Sequence, residues 1–265
     1  MKYVRFTAGG AGPRWGVLLG GEIVPLRRDP FHDFSDDLRT GARVPLAQAT
    51  LLAPVKPGKI IGVGLNYRDH AAEFGAEPPR TPVLFYKSPS AVLGPNEPII
   101  LPRVSHRVDY EAELGVVIGT TAWRVPEAEA LAHVLGYTCL NDVTARDLQK
   151  QDGQWLRAKS FPTFCPVGPW LAGGVDPARL RIELQVNGET KQLATTEQLQ
   201  FSVAALMAFI SGFMPLEPGD VIATGTPVGV GPLAAGDRVK VIIENIGELE
   251  NPVRREGADE DEHEI

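Results

Sequence analysis

Long hydrophobic runs are missing from this sequence: none approaches the ~20 apolar residues that a membrane-spanning helix needs, which excludes a helical membrane protein. The opening MKYVRFTAGG also lacks the apolar core of a secretory signal, so a cytoplasmic location is expected. Cysteine is scarce. Cys139 and Cys165 are the two present, with no C-x-x-C pair or zinc-finger spacing, and two buried reduced thiols are expected. No run of about five to eight basic residues occurs, and the formal net charge is −7. A long anionic polymer is therefore repelled, and no nucleic-acid partner is expected. A small acidic ligand is not excluded, because one bound divalent cation reverses the sign locally. The phosphate loop G-x-x-x-x-G-K-[ST] is absent, and so is any internal repeat.

Short apolar runs punctuated by turn residues are abundant. Hydrophobic residues make up 43% of the 265 positions, and 28 Gly and 23 Pro fall between the runs. That pattern predicts many strands joined by tight turns. KYVRFTA, WGVLLGG and EIVPL read as strands of a small N-terminal unit. KIIGVG, PVLFYK, AVLG, YEAELGVVIG, HVLGYTCLND, RIELQVNG, VIATGTP and RVKVIIEN read as strands of a larger one. PEAEALAHV and SVAALMAFISGF read as helices, the latter with Ser202 as N-cap and Gly212 as its stop; DVTARDLQKQ reads as a turn into a short helix. The expected fold class is mainly β (α+β), with a few peripheral helices. The expected division is a small β-rich domain over 1–54, a catalytic domain over 55–253, and an acidic, disordered tail over 254–265.

Chemistry-bearing residues concentrate in five segments. In VDYEAELGVVIG, strand alternation puts Asp109, Glu111 and Glu113 on one face. Stacked carboxylates running into an apolar stretch need either a cation or exposed basic neighbours. Asp142 in GYTCLNDVTARDLQ follows an apolar strand and either completes a site begun on another strand or caps a surface helix. If DVTARDLQ is helical, Asp142, Arg146 and Gln149 share a face, and Arg146 can grip a carboxylate. Three carboxylates without His or Cys suit a hard cation such as Mg²⁺, with about three coordination positions left for a bidentate 2-oxo acid and water. In GLNYRDHAAEFGAEPPRTP, His70 and Glu73 are helical neighbours, either an oriented acid–base pair on a lid or a chance surface turn. Lys159 in AKSFPTF is followed by Phe161 and Phe164, which either desolvate it beside the substrate or leave it at the surface. In VIATGTPVGVG, Thr224 and Thr226 flank Gly225, giving either an anion-binding turn or a plain hairpin.

Taken in order, GLNYRDHAAE, YEAELGVVIG, GYTCLNDVTARDLQ, AKSF and VIATGTP resemble the fumarylacetoacetate hydrolase (FAH) superfamily over roughly residues 57–253. The resemblance implies a mixed β-sandwich roll and a homodimer. It implies Mg²⁺ (or Mn²⁺ or Ca²⁺) held by Glu111, Glu113 and Asp142. It implies a substrate pocket with Arg146, Gln149, Lys159 and Thr226, and His70 and Glu73 as the acid–base pair of a lid. A further upstream Asp ligand of larger relatives has no counterpart here. Family activities on 2-oxo acids, several of them in aromatic catabolism, include acylpyruvate hydrolysis, oxaloacetate decarboxylation and isomerisation of 2-hydroxyhepta-2,4-diene-1,7-dioate. The residues lead us to expect a hydrolase cleaving a carbon–carbon bond in an acylpyruvate-like acid through a metal-stabilised enolate, with isomerase or decarboxylase as the alternative. A structural Ca²⁺ module is the non-enzymatic alternative; it predicts a saturated shell of about six to eight oxygens and no open position.

Overall fold

The computed structural model describes residues 1–31, 40–69 and 79–257. The first strands are β1 (Lys2–Thr7), β2 (Arg14–Leu19), β3 (Glu22–Pro25), β4 (Val44–Pro45) and β5 (Thr50–Leu52). Then come β6 (Ile60–Gly64), β7 (Val83–Lys87), β8 (Val92–Leu93), β9 (Ile99–Leu101), β10 (Val108–Tyr110) and β11 (Ala112–Ile118). Helix α1 (Glu127–Ala130) leads into β12 (Val134–Asn141) and β13 (Thr144–Ala145), followed by α2 (Arg146–Asp152) and α3 (Leu156–Lys159). The remainder is β14 (Cys165–Ala172), β15 (Arg181–Val186), β16 (Glu189–Thr195), α4 (Val203–Ser211), β17 (Val221–Ala223), β18 (Gly231–Pro232), β19 (Arg238–Ile243) and β20 (Gly247–Arg255). The mainly β class with few helices is the one expected.

Three sheets carry the fold. The largest has twelve strands in the order β4-β3-β2-β1-β14-β12-β11-β17-β6-β7, with β5 on β1 and β8 on β14. A five-stranded sheet runs β16-β15-β19-β20-β9, and a three-stranded one β13-β10-β18. Every residue of β11 is buried, because β12 and β17 flank it and the five-stranded sheet packs across it. Ile182, Leu184, Val241 and Leu249 from that sheet join Leu114, Val116 and Leu140 in one continuous core. Truncating any one to Ala costs about 2–5 kcal/mol.

Several details depart from the sequence pattern. The expected strand YEAELGVVIG is two strands: it breaks at Glu111, where the chain passes from the three-stranded sheet to the twelve-stranded one. The expected helix opens only at Arg146, so Asp142 is not its cap and shares no helical face with Arg146 and Gln149. Helix α4 does start at Ser202, whose side chain accepts from Ala205 N at 3.1 Å. The N-terminal strands have a small apolar cluster of their own, Val4, Phe6 and Ile23, yet β1 pairs with β14 and so extends the large sheet. Strand β20 carries regular structure to Arg255, two residues past the expected domain end at 253; residues 258–265 lie outside the described residues. Among the described residues, no helix is long and apolar enough to cross a membrane.

Candidate active site

Backbone hydrogen bonds bring the three acidic residues together. Glu111 N donates to Asn141 Oδ1 (2.9 Å), and Asp142 N donates to Glu111 O (2.9 Å). The end of β12 is thereby tied to the break between β10 and β11. Glu113, the second residue of β11, accepts from Gly225 N at 2.8 Å. Gly225 follows β17 and has φ +100°, where a side chain is strained; a Cβ there would stand 2.8 Å from Asn66 Cβ. Carboxylate oxygens of Glu111, Glu113 and Asp142 all lie within 4.8 Å of one another, and all three residues are buried.

Cations crowd one side of this cluster. Arg146 Nε donates to Asp109 Oδ2 (2.9 Å), Nη1 to Gln149 Oε1 (2.6 Å), and Nη2 to Glu111 Oε1. Lys159 Nζ donates to Glu111 Oε2 (2.7 Å) and Asp142 Oδ2 (2.5 Å). Lys87, fully buried at the end of β7, stands 2.6 Å from Asp142 Oδ1 but directs its hydrogen bonds to Lys159 O (2.5 Å) and Val143 O (3.4 Å). Asp142 Oδ1 therefore accepts no hydrogen bond although it is buried.

The charges divide accordingly. Burial alone would raise Glu111, but Lys159 and Arg146 outweigh it and hold the carboxyl well below the usual range. Glu113 is pushed well above that range by burial and by the negative charges of Asp142 and Glu111. Burial opposes the charge on Lys159, yet Asp142 and Glu111 overcome it and raise its pKa, so it keeps its proton at neutral pH. The cluster thus has an unrelieved negative potential on the Glu113 side, and Asp142 Oδ1 has an ion pair with Lys87 but accepts no hydrogen bond. An all-oxygen donor set with those two features fits a hard divalent cation.

A cavity of about 330 Å³ opens onto the triad. Arg146, Gln149, Lys159 and Thr226 line it beside the three acids, and Phe85 and Trp155, with ring centroids 5.4 Å apart, supply its apolar wall. Seven of the residues singled out from the sequence therefore share one cavity. His70 and Glu73 lie outside the described residues. Two expectations need correcting. The aromatic ring over Lys159 is Phe85, at 4.8 Å, whereas Phe161 and Phe164 pack on each other. The Thr224–Thr226 turn is not an open anion nest: Thr224 Oγ1 donates to Leu114 O (3.0 Å), and Gly225 N is committed to Glu113.

Sequence reasoning gave no role to Lys87, Gln192, Phe85 or Trp155. Lys87 ends an apolar strand, where a lysine reads as a solubilising terminus. Gln192 lies on β16 and reaches the site from the other sheet. Asp109 belongs with Arg146 and Arg107 Nε (2.9 Å) and not with the triad, although alternation placed it on the same face.

Known proteins share this architecture. Residues 59–254 match the fumarylacetoacetate hydrolase C-terminal family, and residues 1–54 match the Rv2993c-like N-terminal family. The mitochondrial oxaloacetate tautomerase of Xenopus laevis is 40% identical over 287 residues, covering 96% of this chain and 90% of its own. The crystal structure of 2-hydroxyhepta-2,4-diene-1,7-dioate isomerase from Mycobacterium marinum is 43% identical with a TM-score of 0.89, covering 97% of this chain and 99% of that one. Maleylpyruvate hydrolase from Sphingobium sp. SYK-6 is 36% identical with a TM-score of 0.80, covering 97% of this chain and 100% of its own. With a family match across the whole site and relatives aligned nearly end to end, this chain belongs to the fumarylacetoacetate hydrolase family of enzymes.

Proposed function

We propose that the protein moves a proton between carbon and oxygen of a small 2-oxo acid, as a divalent-metal-dependent tautomerase or isomerase. The carrying observation is the buried triad lining a cavity of about 330 Å³, with Arg146, Lys159 and Thr226 around it. Glu111, Glu113 and Asp142 would hold Mg²⁺ or Mn²⁺. The ion would polarise the 2-oxo group and stabilise the enolate form of a chelating acid. Lys159, kept protonated by its acidic neighbours, and Arg146 neutralise the ligand's carboxylate. Phe85 and Trp155 exclude water from the reacting carbons. His70 and Glu73 are assigned the proton transfer, with Glu73 orienting the imidazole.

This reading reverses the order expected from the residues alone. Relatives aligned over nearly all of the chain at 40% and 43% identity are named as a tautomerase and an isomerase. Hydrolysis of a carbon–carbon bond in an acylpyruvate-like acid is the second reading, favoured by the likeness to a maleylpyruvate hydrolase. It needs an activated water, which the same His70–Glu73 pair would supply. Decarboxylation of oxaloacetate would pass through the same enolate. A purely structural Ca²⁺ module is disfavoured by the cavity, since a saturated shell leaves no room for a ligand.

The test is spectrophotometric. With Mg²⁺ or Mn²⁺, enol-oxaloacetate, a dienedioate and an acylpyruvate are each followed in the ultraviolet. Accelerated enol decay without loss of carbon supports the first reading, and stoichiometric release of pyruvate supports the second. No acceleration of any of the three removes both. His70→Ala should slow catalysis while leaving Mn²⁺ binding unchanged; undiminished turnover removes the dyad. We further propose that residues 1–54 and 55–253 are two domains joined through the β1–β14 pairing, and that the chain works as a cytoplasmic homodimer.

A further inference from the structure

Gln192 is 1% exposed and its amide joins β11 to the loop after β17 through three hydrogen bonds. Ala112 N, between Glu111 and Glu113, donates to Gln192 Oε1 at 2.9 Å. Gln192 Nε2 is 2.8 Å from Pro227 O and 2.9 Å from Thr226 Oγ1. A backbone N–H can only donate and a backbone carbonyl can only accept. Ala112 and Pro227 therefore fix which end of the amide is oxygen and which is nitrogen, with no hydrogen position needed. Of the two Nε2 protons, one goes to Pro227 O and the other to Thr226 Oγ1. The threonine oxygen is thus an acceptor toward Gln192, and its own single proton must point elsewhere. Among the described residues, no protein acceptor takes that proton, and Thr226 lines the cavity. The arrangement is held rigidly, since the loop after Thr226 presses on β16: a Cβ at Gly229 would fall 2.4 Å from Lys191 O.

From this we infer that Gln192 is a positioning residue that commits the Thr226 hydroxyl to donating into the cavity. The site then selects ligands that present a carboxylate or enolate oxygen at Thr226 and rejects ligands that present a proton donor there. The inference rests on the 2-oxo acid reading above and adds the polarity of one ligand subsite to it. Of the charged donors at the cavity, Arg146 and Lys159 are paired with Glu111, and Lys159 also with Asp142, while Lys150 is exposed at its side. Thr226 is a neutral donor beside the triad whose single proton is unspent, and unlike the Gln149 amide it is fixed in direction by a buried partner.

The test uses oxalate, a planar dianion the size of a small 2-oxo acid, titrated calorimetrically into the Mg²⁺-loaded protein. Thr226→Val, which keeps shape and loses the hydroxyl, is expected to weaken oxalate about tenfold or more. Thr226→Ser should stay within about threefold of wild type. Gln192→Met, of similar volume, should weaken oxalate as Thr226→Val does, yet add less than about twofold on the Thr226→Val background, since the two act through one hydroxyl. If Gln192→Met does not fold, Gln192→Glu takes its place, because it keeps the acceptor for Ala112 N and loses both donors. Mg²⁺ affinity, measured separately, should not change in the Thr226 variants. Oxalate affinity that survives Thr226→Val, or Gln192 and Thr226 losses that multiply, overturns the assignment. Failure of the wild-type protein to bind oxalate at all removes the 2-oxo acid reading, and this inference with it.

Discussion

Replacing Lys87 with Met tests the electrostatics of the site most sharply. The side chain is fully buried, and its Nζ sits 2.6 Å from Asp142 Oδ1 while donating to the carbonyl of Lys159. Met has nearly the same volume and unbranched shape, so packing changes should cost under ~1.5 kcal/mol. Removing one partner of a buried ion pair costs more, about 3–5 kcal/mol, because the other charge stays desolvated. The electrostatic loss therefore dominates. For a chain of this size each kcal/mol moves the melting temperature by roughly 2–4 °C, which predicts a fall of about 6–20 °C in metal-free Lys87→Met. Saturating Mg²⁺ would place a new positive charge beside Asp142, so the gap between variant and wild type should narrow. Melting curves with excess EDTA and with millimolar Mg²⁺ measure both effects. A metal-free drop below about 2 °C would show that Asp142 does not depend on Lys87, and a gap unaltered by Mg²⁺ would place the cation away from Asp142.

Exhaustive chelation should abolish turnover, and Mg²⁺ or Mn²⁺ should restore it; at a hundred times its Kd the ion should also add about 2.7 kcal/mol of stability in denaturant titrations. Turnover that persists after chelation removes the metal. Gly225→Ala forces a side chain into φ +100° and against Asn66, so it should cost about 1–3 kcal/mol and lower activity by shifting the N–H that holds Glu113; a stable, fully active variant would refute that role. Burial raises the thiol pKa values of Cys139 and Cys165 to about 12. At pH 8 only about one thiol in ten thousand is then ionised, so iodoacetamide should leave the native chain unlabelled and modify both cysteines in urea. Labelling of the native chain at the rate of a free thiol would show that these sites open.

The triad was readable in the sequence through the order of its motifs: E-x-E on one apolar strand and an aspartate ending another each left a plain alternative open, and the series of five segments, by its family resemblance, pointed to a metal. What brings them together was not. Alternation alone suggested one unbroken strand, but Glu111 occupies the point where the chain changes sheets, and only the partners Asn141 and Asp142 reveal why it bends there. Strand β14 escaped notice because Pro166 and Pro169 argue against a central strand, although it lies between β1 and β12. Lys87 and Gln192 were illegible for a related reason. A lone lysine or glutamine carries no pattern, and each becomes meaningful only through long-range pairings, 72 residues from Lys87 to Lys159 and 80 from Ala112 to Gln192.

One pairing near the chain's beginning bears on how this protein can be dissected. Lys2 and Tyr3 lie beside Ala172 and Leu171, and the terminal ammonium donates to Gly173 O at 2.8 Å. Excising the first fifty-odd residues would strip the Leu171–Gly173 end of β14 of its partner strand and leave bare amides and carbonyls there, available to any other chain. The leading segment thus serves as a selvedge for the sheet, and a trimmed enzyme would need fresh edging before it stayed monodisperse.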